Sequence, residues 1–278
     1  MSETVARAIA GAAARLAAGS DTARLDAELL MAHALGCSRA DVLLWRGEEA
    51  APAGFAALVE RRAAHEPVAY ILGRQEFYGL ELAVSPAVLI PRGDSETLVE
   101  AALAARPQAR RVLDCGTGSG ALLLAVLAHL PAASGIGIDR SAAALAVATG
   151  NAAALGLGAR AAMREADWHQ PGWAAALGRF DLVLANPPYV EADAALAPSV
   201  AAHEPAGALY AGLDGLDDYR VLVPQLPGLL APGGVALVEI GHRQAEPVSA
   251  LAEAAGMSAQ LHRDLAGRAR VLALAAKS

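Results

Sequence analysis

The sequence predicts an α/β protein with a mostly parallel sheet covered by helices on both faces, preceded by a small all-helical domain. Three observations predict it. From Arg110 onward, short apolar strand-like runs alternate with helical ones. Residues 4–65 carry apolar positions at helical spacing with no strand-like run among them. Between these regions, aromatic and β-branched residues punctuated by Gly73 and Gly79 read as a hairpin.

The chain has 278 residues, 55% hydrophobic and 18% charged, enough for one large or two modest domains with a sizeable core. The net charge of −7 is not the footprint of a duplex-binding protein, and no direct nucleic-acid contact is expected. The basic pairs Arg61-Arg62 and Arg110-Arg111 read as solvated faces. Cys37 and Cys115 are the two cysteines; no disulfide framework or metal-ligand spacing is present, and their number fits a reducing compartment. No basic segment followed by an apolar one opens the chain. The most apolar run, Ala121 to Leu130, is too short to span a bilayer and stops at Pro131. A cytoplasmic monomer without membrane contact is expected.

In chain order, helices are expected over Thr4 to Ala18, Asp21 to Leu35 (with Asp21 as N-cap) and Pro52 to His65. Gln75 to Tyr78 and Glu81 to Val84 form the hairpin around Gly79. This divides the chain into a helical domain over 1–70, a hairpin linker over 71–90 and the α/β domain over 91–278. Asp94 or Ser95 is expected to cap a helix starting near Glu96, in a segment, Leu89 to Glu96, that is expected to line the site. Strands are then expected at Val112 to Asp114, Ser134 to Asp139, Ala159 to Glu165, Phe180 to Ala185 and Gly234 to Ile240. Helices fall at Ala121 to Leu130, Ala142 to Ala154, Leu216 to Leu230 and Gln244 to Ala255. Leu261 to Asp264 and Arg268 to Leu274 close the domain as a hairpin with one antiparallel strand.

Two motifs carry chemistry. Gly116-Thr117-Gly118-Ser119-Gly120 follows the first strand and opens a helix, so backbone can approach a ligand at a helix N-terminus. Asp114 sits just before it, where an acid repels a pyrophosphate but can hold an amine. Asp139 ends the second strand and can accept from two ribose hydroxyls. Asp167-Trp168, ending the third, can bracket an adenine, although a carboxylate there also caps strand ends. These features favour S-adenosyl-L-methionine over a dinucleotide. The second motif is Asn186-Pro187-Pro188-Tyr189, ending the fourth strand. The prolines stiffen the turn and remove donors. The Asn186 side-chain oxygen and the Pro187 carbonyl can then accept both hydrogens of a planar –NH2, with Tyr189 stacking on the flat group. Alignment for in-line displacement is the main demand; no strong base stands in the motif, so proton loss to solvent is expected.

The sequence resembles the protein-glutamine N5-methyltransferases that modify class 1 peptide chain release factors. The likeness runs over nearly the full length. Its carriers are Glu66 to Gly73, Phe77 to Leu80, Val84 to Pro86, Leu89 to Glu96, Leu113 to Gly120, Asn186 to Tyr189, His203-Glu204-Pro205 and Asp264 to Arg270. The resemblance implies a Rossmann-like, seven-stranded class I S-adenosylmethionine-dependent methyltransferase domain behind a helical domain and a hairpin. It implies cofactor contacts from Gly116 to Gly120, Asp139, Trp168 and Asn186. It further implies that Asn186 to Tyr189 receive the glutamine of the release factor's Gly-Gly-Gln loop. Gly93 stands where the family usually has proline, and Cys115 where an apolar residue is usual. Asn-Pro-Pro-Tyr is shared with DNA adenine-N6 methyltransferases, the main alternative; the acidic balance and lack of a basic insertion stand against it.

Overall fold

The computed structural model describes residues 3–277. The chain divides into two units, residues 1–74 with 196–203, and residues 75–195 with 204–278.

In the first unit, α1 (Val5–Leu16) buries Val5, Ala8, Ile9, Ala12 and Leu16, the spacing of one helix face. It pairs with α2 (Ala23–Leu35), which ends at Gly36 in the left-handed region. Asp21 does not cap α2. Thr22 holds the N-cap position, and the Ser20 and Thr22 hydroxyls donate instead to Asp26, at 2.7 and 2.9 Å. Two short helices fall where the sequence reading placed none. α3 (Arg39–Trp45) starts on a Ser38/Asp41 capping box. After α4 (Phe55–Ala63), α5 (Val68–Leu72) is bracketed by Pro67 and by Gly73 at φ 72°. Leu30, Met31, Phe55, Val59 and Ile71 join α1 in one core. A further short helix, α9 (Pro198–His203), belongs to this unit. Of the arginine pair here, Arg61 is exposed as expected and grips Glu66 with two hydrogen bonds, whereas Arg62 turns inward and donates to the buried Asp26 at 2.8 Å.

The second unit opens with the hairpin of β1 (Arg74–Phe77) and β2 (Leu80–Ala83). Tyr78 and Gly79 both take positive φ, 51° and 78°, the two-residue turn that matches strand twist. Tyr78 is held there by its amide donating to Glu96 Oε1 at 3.0 Å. Phe77 and Leu82 are buried in the core beneath.

After α6 (Glu96–Ala105) come β3 (Arg111–Cys115), α7 (Ala121–His129), β4 (Ser134–Asp139), α8 (Ala142–Ala154), β5 (Ala161–Glu165) and β6 (Phe180–Ala185). A short 3-10 turn at Val223–Gln225 separates α10 (Asp217–Leu222) from α11 (Leu226–Leu229). The single helix expected over 216–230 is thus broken, because Pro224 and Pro227 each lack the amide a continuous helix needs. The chain closes with β7 (Leu230–Glu239), α12 (Ala245–Ala254), β8 (Met257–Arg263) and β9 (Ala269–Ala276).

The seven-stranded sheet runs β5-β4-β3-β6-β7-β9-β8, with β9 antiparallel to both neighbours and the other described pairings parallel. Burial on both faces explains the unbroken apolar strands. Leu182 and Leu184 of β6 point into a core with α6 and α7; Val183 and Ala185 point into one with α10 and α12. The chain starts at β3, moves one way to β4 and β5, then crosses to β6 on the other side. Ligands of open α/β sheets bind at such a reversal, outside the carboxyl ends of the strands.

Asn151 of α8 fastens this edge. Its amide accepts from the Ala83 N–H at 2.7 Å and donates to the Ala83 and Ser119 carbonyls at 3.0 and 2.9 Å, tying the hairpin to the glycine loop. Asn151→Ala should cost about 1–3 kcal/mol in chemical denaturation, since it strands buried backbone groups. A loss under about 0.5 kcal/mol would contradict the fastening role.

Candidate functional site

The parallel register sets the site. Cys115 pairs with Ile138 on one side and Ala185 on the other, and Ala185 pairs with Val238. The residues that follow these four, Gly116, Asp139, Asn186 and Glu239, therefore lie along one edge of the sheet. A cleft opens there, lined by Gly116 to Ser119, Asp139 to Ser141, Asp167, Trp168, Asn186, Pro188 and the 87–95 segment among others.

The loop is built from local chemistry. Gly116, Gly118 and Gly120 all have positive φ, and the Gly116 and Thr117 amides both donate to the Ile138 carbonyl, at 2.9 and 2.8 Å. A Cβ on Gly116 would stand 3.1 Å from the Trp168 ring, so the indole lies directly against the loop. A Cβ on Gly137 would stand 2.7 Å from Thr117 Oγ1, so that glycine leaves room for the threonine side chain. Asp139 Oδ2 accepts from the Gly118 amide at 3.0 Å and Oδ1 from the Ser141 amide at 2.9 Å. The carboxylate is held rigidly, with a further lone pair on each oxygen.

Asp114 does not meet the expectation of an amine ligand. It is fully buried, is not part of the cleft wall, and its Oδ2 takes the Thr117 hydroxyl at 2.6 Å. It works from beneath, holding the loop. Burial, with Asp139 adding repulsion, lifts its pKa to about 7 although Thr117 and the Leu123 amide pull it down. Gly120 also lies behind the wall.

Asp167 and Trp168 both reach the cleft. Asp167 Oδ1 accepts the His169 amide at 2.9 Å and stands 3.0 Å from His169 Nδ1, the turn-capping arrangement. Trp168 Nε1 donates to Asp218 Oδ1 at 3.1 Å. Asp218, buried at the start of α10 and raised in pKa by that burial, is a wall residue that the sequence reading missed. So is Arg140, whose guanidinium donates to the Gly207 carbonyl at 2.8 Å.

At the other end, Asn186 and Pro188 line the cleft, whereas Pro187 and Tyr189 do not. The Tyr189 ring packs with the core on its own side of the sheet, and burial pushes its hydroxyl up to about 12. Its carbonyl is pinned by Gln244 Nε2 at 3.1 Å, which also holds the Gly215 carbonyl. The Tyr189 ring is half-buried and does not line the cleft. Among the described residues, the Pro187 carbonyl accepts no hydrogen bond. Asn186 Nδ2 lies 3.5 Å from Ser95 Oγ. Ser95 and Asp94 do not cap α6 with their side chains. Ser95 instead lines the cleft with its hydroxyl beside Asn186. The adjoining segment is clamped by Glu204, which accepts the Ile90 amide at 3.2 Å and pairs with Arg92.

Comparison with known proteins decides the family. Residues 7–73 match the model of the PrmC N-terminal domain and residues 108–259 that of a methyltransferase domain. The chain is 47% identical over 262 residues to the release factor glutamine methyltransferase of Rhodospirillum rubrum, covering 92% of this chain and 79% of that one. To the protein of the same name from Cereibacter sphaeroides it is 46% identical over 274 residues, 96% of each.

The chain belongs to the release factor glutamine methyltransferase family.

Caulobacter vibrioides supplies another relative, 44% identical over 266 residues, 92% of this chain and 90% of its own. Membership accounts for the segments that carried the resemblance: Ile90 and Arg92 meet at Glu204, and the hairpin meets the glycine loop at Asn151. No helix among the described residues is long and apolar enough to cross a membrane.

The buried Asp114 has a consequence for stability. From roughly pH 4, where an unfolded Asp loses its proton, up to about 7, the folded chain still holds that proton. Over that window this group's contribution to stability falls as pH rises. Asp114→Asn abolishes the titration. Its stability relative to the parent should improve between pH 5 and pH 8 by on the order of 2–4 kcal/mol in denaturant melts. A difference that stays constant with pH would contradict the buried-carboxyl assignment.

Proposed function

We propose that the chain transfers a methyl group from S-adenosyl-L-methionine to the side-chain N5 nitrogen of the glutamine in the Gly-Gly-Gln motif of class 1 peptide chain release factors. The observation that carries this reading is a single cleft with the glycine loop and Asp139 at one end and Asn186 at the other. The names of the relatives support the substrate class.

The residues present fit the cofactor. Asp139 offers lone pairs for ribose hydroxyls, and Trp168 offers a ring face beside the loop for an adenine. Asp218 and Asp167 supply acid character suited to a cationic ligand. When bound, the cofactor supplies a methyl group already attached to an electrophilic sulfonium.

The protein's own part is to bind and aim. Asn186 Oδ1 accepts one carboxamide hydrogen of the glutamine; the Pro187 carbonyl, free of other partners among the described residues but set behind the cleft wall, is the second acceptor this reading requires. Both acceptors stabilise positive charge developing on that nitrogen, which helps because an amide lone pair is otherwise delocalised. Fixed backbone at Pro187 and Pro188 keeps them in place without reorganisation, so orientation supplies much of the rate.

The test is incubation with labelled S-adenosylmethionine and a class 1 release factor, its Gly-Gly-Ala variant, or duplex DNA. Label only in the unaltered release factor is expected; label in DNA, or in none, overturns the reading. Asn186→Ala should lower kcat by on the order of 100-fold or more while cofactor affinity changes little. A near-normal rate would remove the amide clamp. Asp139→Ala should weaken cofactor binding by about 1.5–3 kcal/mol in calorimetry, and an unchanged Kd would take Asp139 out of the site.

A further inference from the structure

Glu239 is a buried acid with no role in the account so far. It ends β7, one residue past Val238, and Val238 pairs with Ala185; the parallel register therefore sets Glu239 beside Asn186. It is 2% exposed and forms no part of the cleft wall. Its Oε2 has no hydrogen-bond partner. Ser95, from the turn before α6, and Asn186 itself both act on its carboxyl, each drawing its pKa down against the burial that raises it. Ser95 is also the group 3.5 Å from Asn186 Nδ2.

We propose that Glu239 is the positioning residue that fixes which way the Asn186 carboxamide points. The reasoning is one of donor polarity. An ionised carboxylate only accepts, a hydroxyl has a single hydrogen, and an amide has an accepting end and a donating end. With Glu239 ionised, Ser95 donates to it and presents its own lone pairs to Asn186 Nδ2. The flipped amide would set Oδ1 against a carboxylate in a buried, low-dielectric setting, where two acceptors repel. The donating end of Asn186 is therefore held inward, and Oδ1 is turned to the cleft as an acceptor for the substrate –NH2. Protonation of Glu239 reverses the polarity. The carboxyl then donates to Ser95, the Ser95 hydrogen turns to Asn186, and the flipped amide becomes equally good.

Burial places that switch in an accessible range, raising the Glu239 pKa to about 7. The surrounding charges bear on it from several elements. Arg270 of β9 favours the ionised form, and Asp94 opposes it. Arg270 is itself shared between Asp264 at 3.0 Å and Asp94 at 2.5 Å. Tyr189 faces the same charge, as does Tyr219, whose hydroxyl donates to the Glu239 carbonyl at 2.8 Å.

This inference rests on the glutamine methylation reading and is tested with the intact chain and a release factor. The parent's kcat should fall on an acid limb near pH 7. Glu239→Gln should lower kcat at pH 8 at least tenfold, leave cofactor Kd within twofold, and abolish the limb. Ser95→Ala, which keeps every charge and does not depend on Glu239→Gln folding, should lower kcat and move the limb to higher pH. The upward sign follows because the Ser95 hydrogen bond holds the Glu239 pKa down. A Glu239→Gln kcat within twofold of the parent, a limb it retains, or an unmoved limb in Ser95→Ala overturns the positioning role alone. A parent that leaves the release factor unlabelled brings down the functional reading and this inference together.

Discussion

The site depends on one constraint, the parallel pairing of β3 with β4 and β6, and of β6 with β7. Parallel ladders send every strand out of the sheet at the same edge, so four separate stretches of sequence converge without touching one another in the chain. With Cys115 opposite Ile138 and Ala185, and Ala185 opposite Val238, the next residues are bound to meet. A slip of one residue would turn Leu182 and Leu184 off their core and Val183 off its own, so packing on two faces locks the register. The apolar core thereby sets which polar side chains face the cleft.

Upon that frame sits a set of buried polar fasteners. Asn151 ties hairpin to glycine loop, Asp114 ties the loop to the strand beneath it, Gln244 holds the Tyr189 carbonyl, and Glu204 clamps the 90–92 segment. Each is buried and each bonds to backbone or to a loop side chain rather than to solvent. Unsatisfied partners in such places are costly, so these contacts hold irregular backbone in a single conformation. Rigid loops suit a reaction in which aiming matters more than activation.

Much of this was legible in the residues. β4, β6 and α8 fall where alternation and turn residues put them, because each is bounded by an acid, a Pro or a Gly signal close to its end. Gly116 to Ser119, Asp139, Trp168 and Asn186 line one cleft, with Gly120 behind its wall. What escaped has physical causes. α5 contains Val68, Tyr70 and Ile71, which favour strand, and only the flanking Pro67 and Gly73 betray a helix. Prolines 224 and 227 broke a helix whose apolar spacing looked continuous. Asp114 read as a ligand because spacing reports position along the chain and not depth. Glu239 read as an interior residue of a strand ending at Ile240; its significance lies in β7 pairing with β6, and non-local pairing leaves no mark in a local pattern. Ser95 looked like a cap, since its role also comes from a partner 91 residues away.

The most direct measurement is a crystal structure of the chain with S-adenosylhomocysteine and a glutamine-bearing peptide. The account predicts the ribose on Asp139 and the peptide carboxamide within hydrogen-bond reach of Asn186 Oδ1 and the Pro187 carbonyl, its nitrogen aimed at the sulfur. A carboxamide bound elsewhere, or an Asn186 side chain turned away from the glycine loop in that complex, would contradict it.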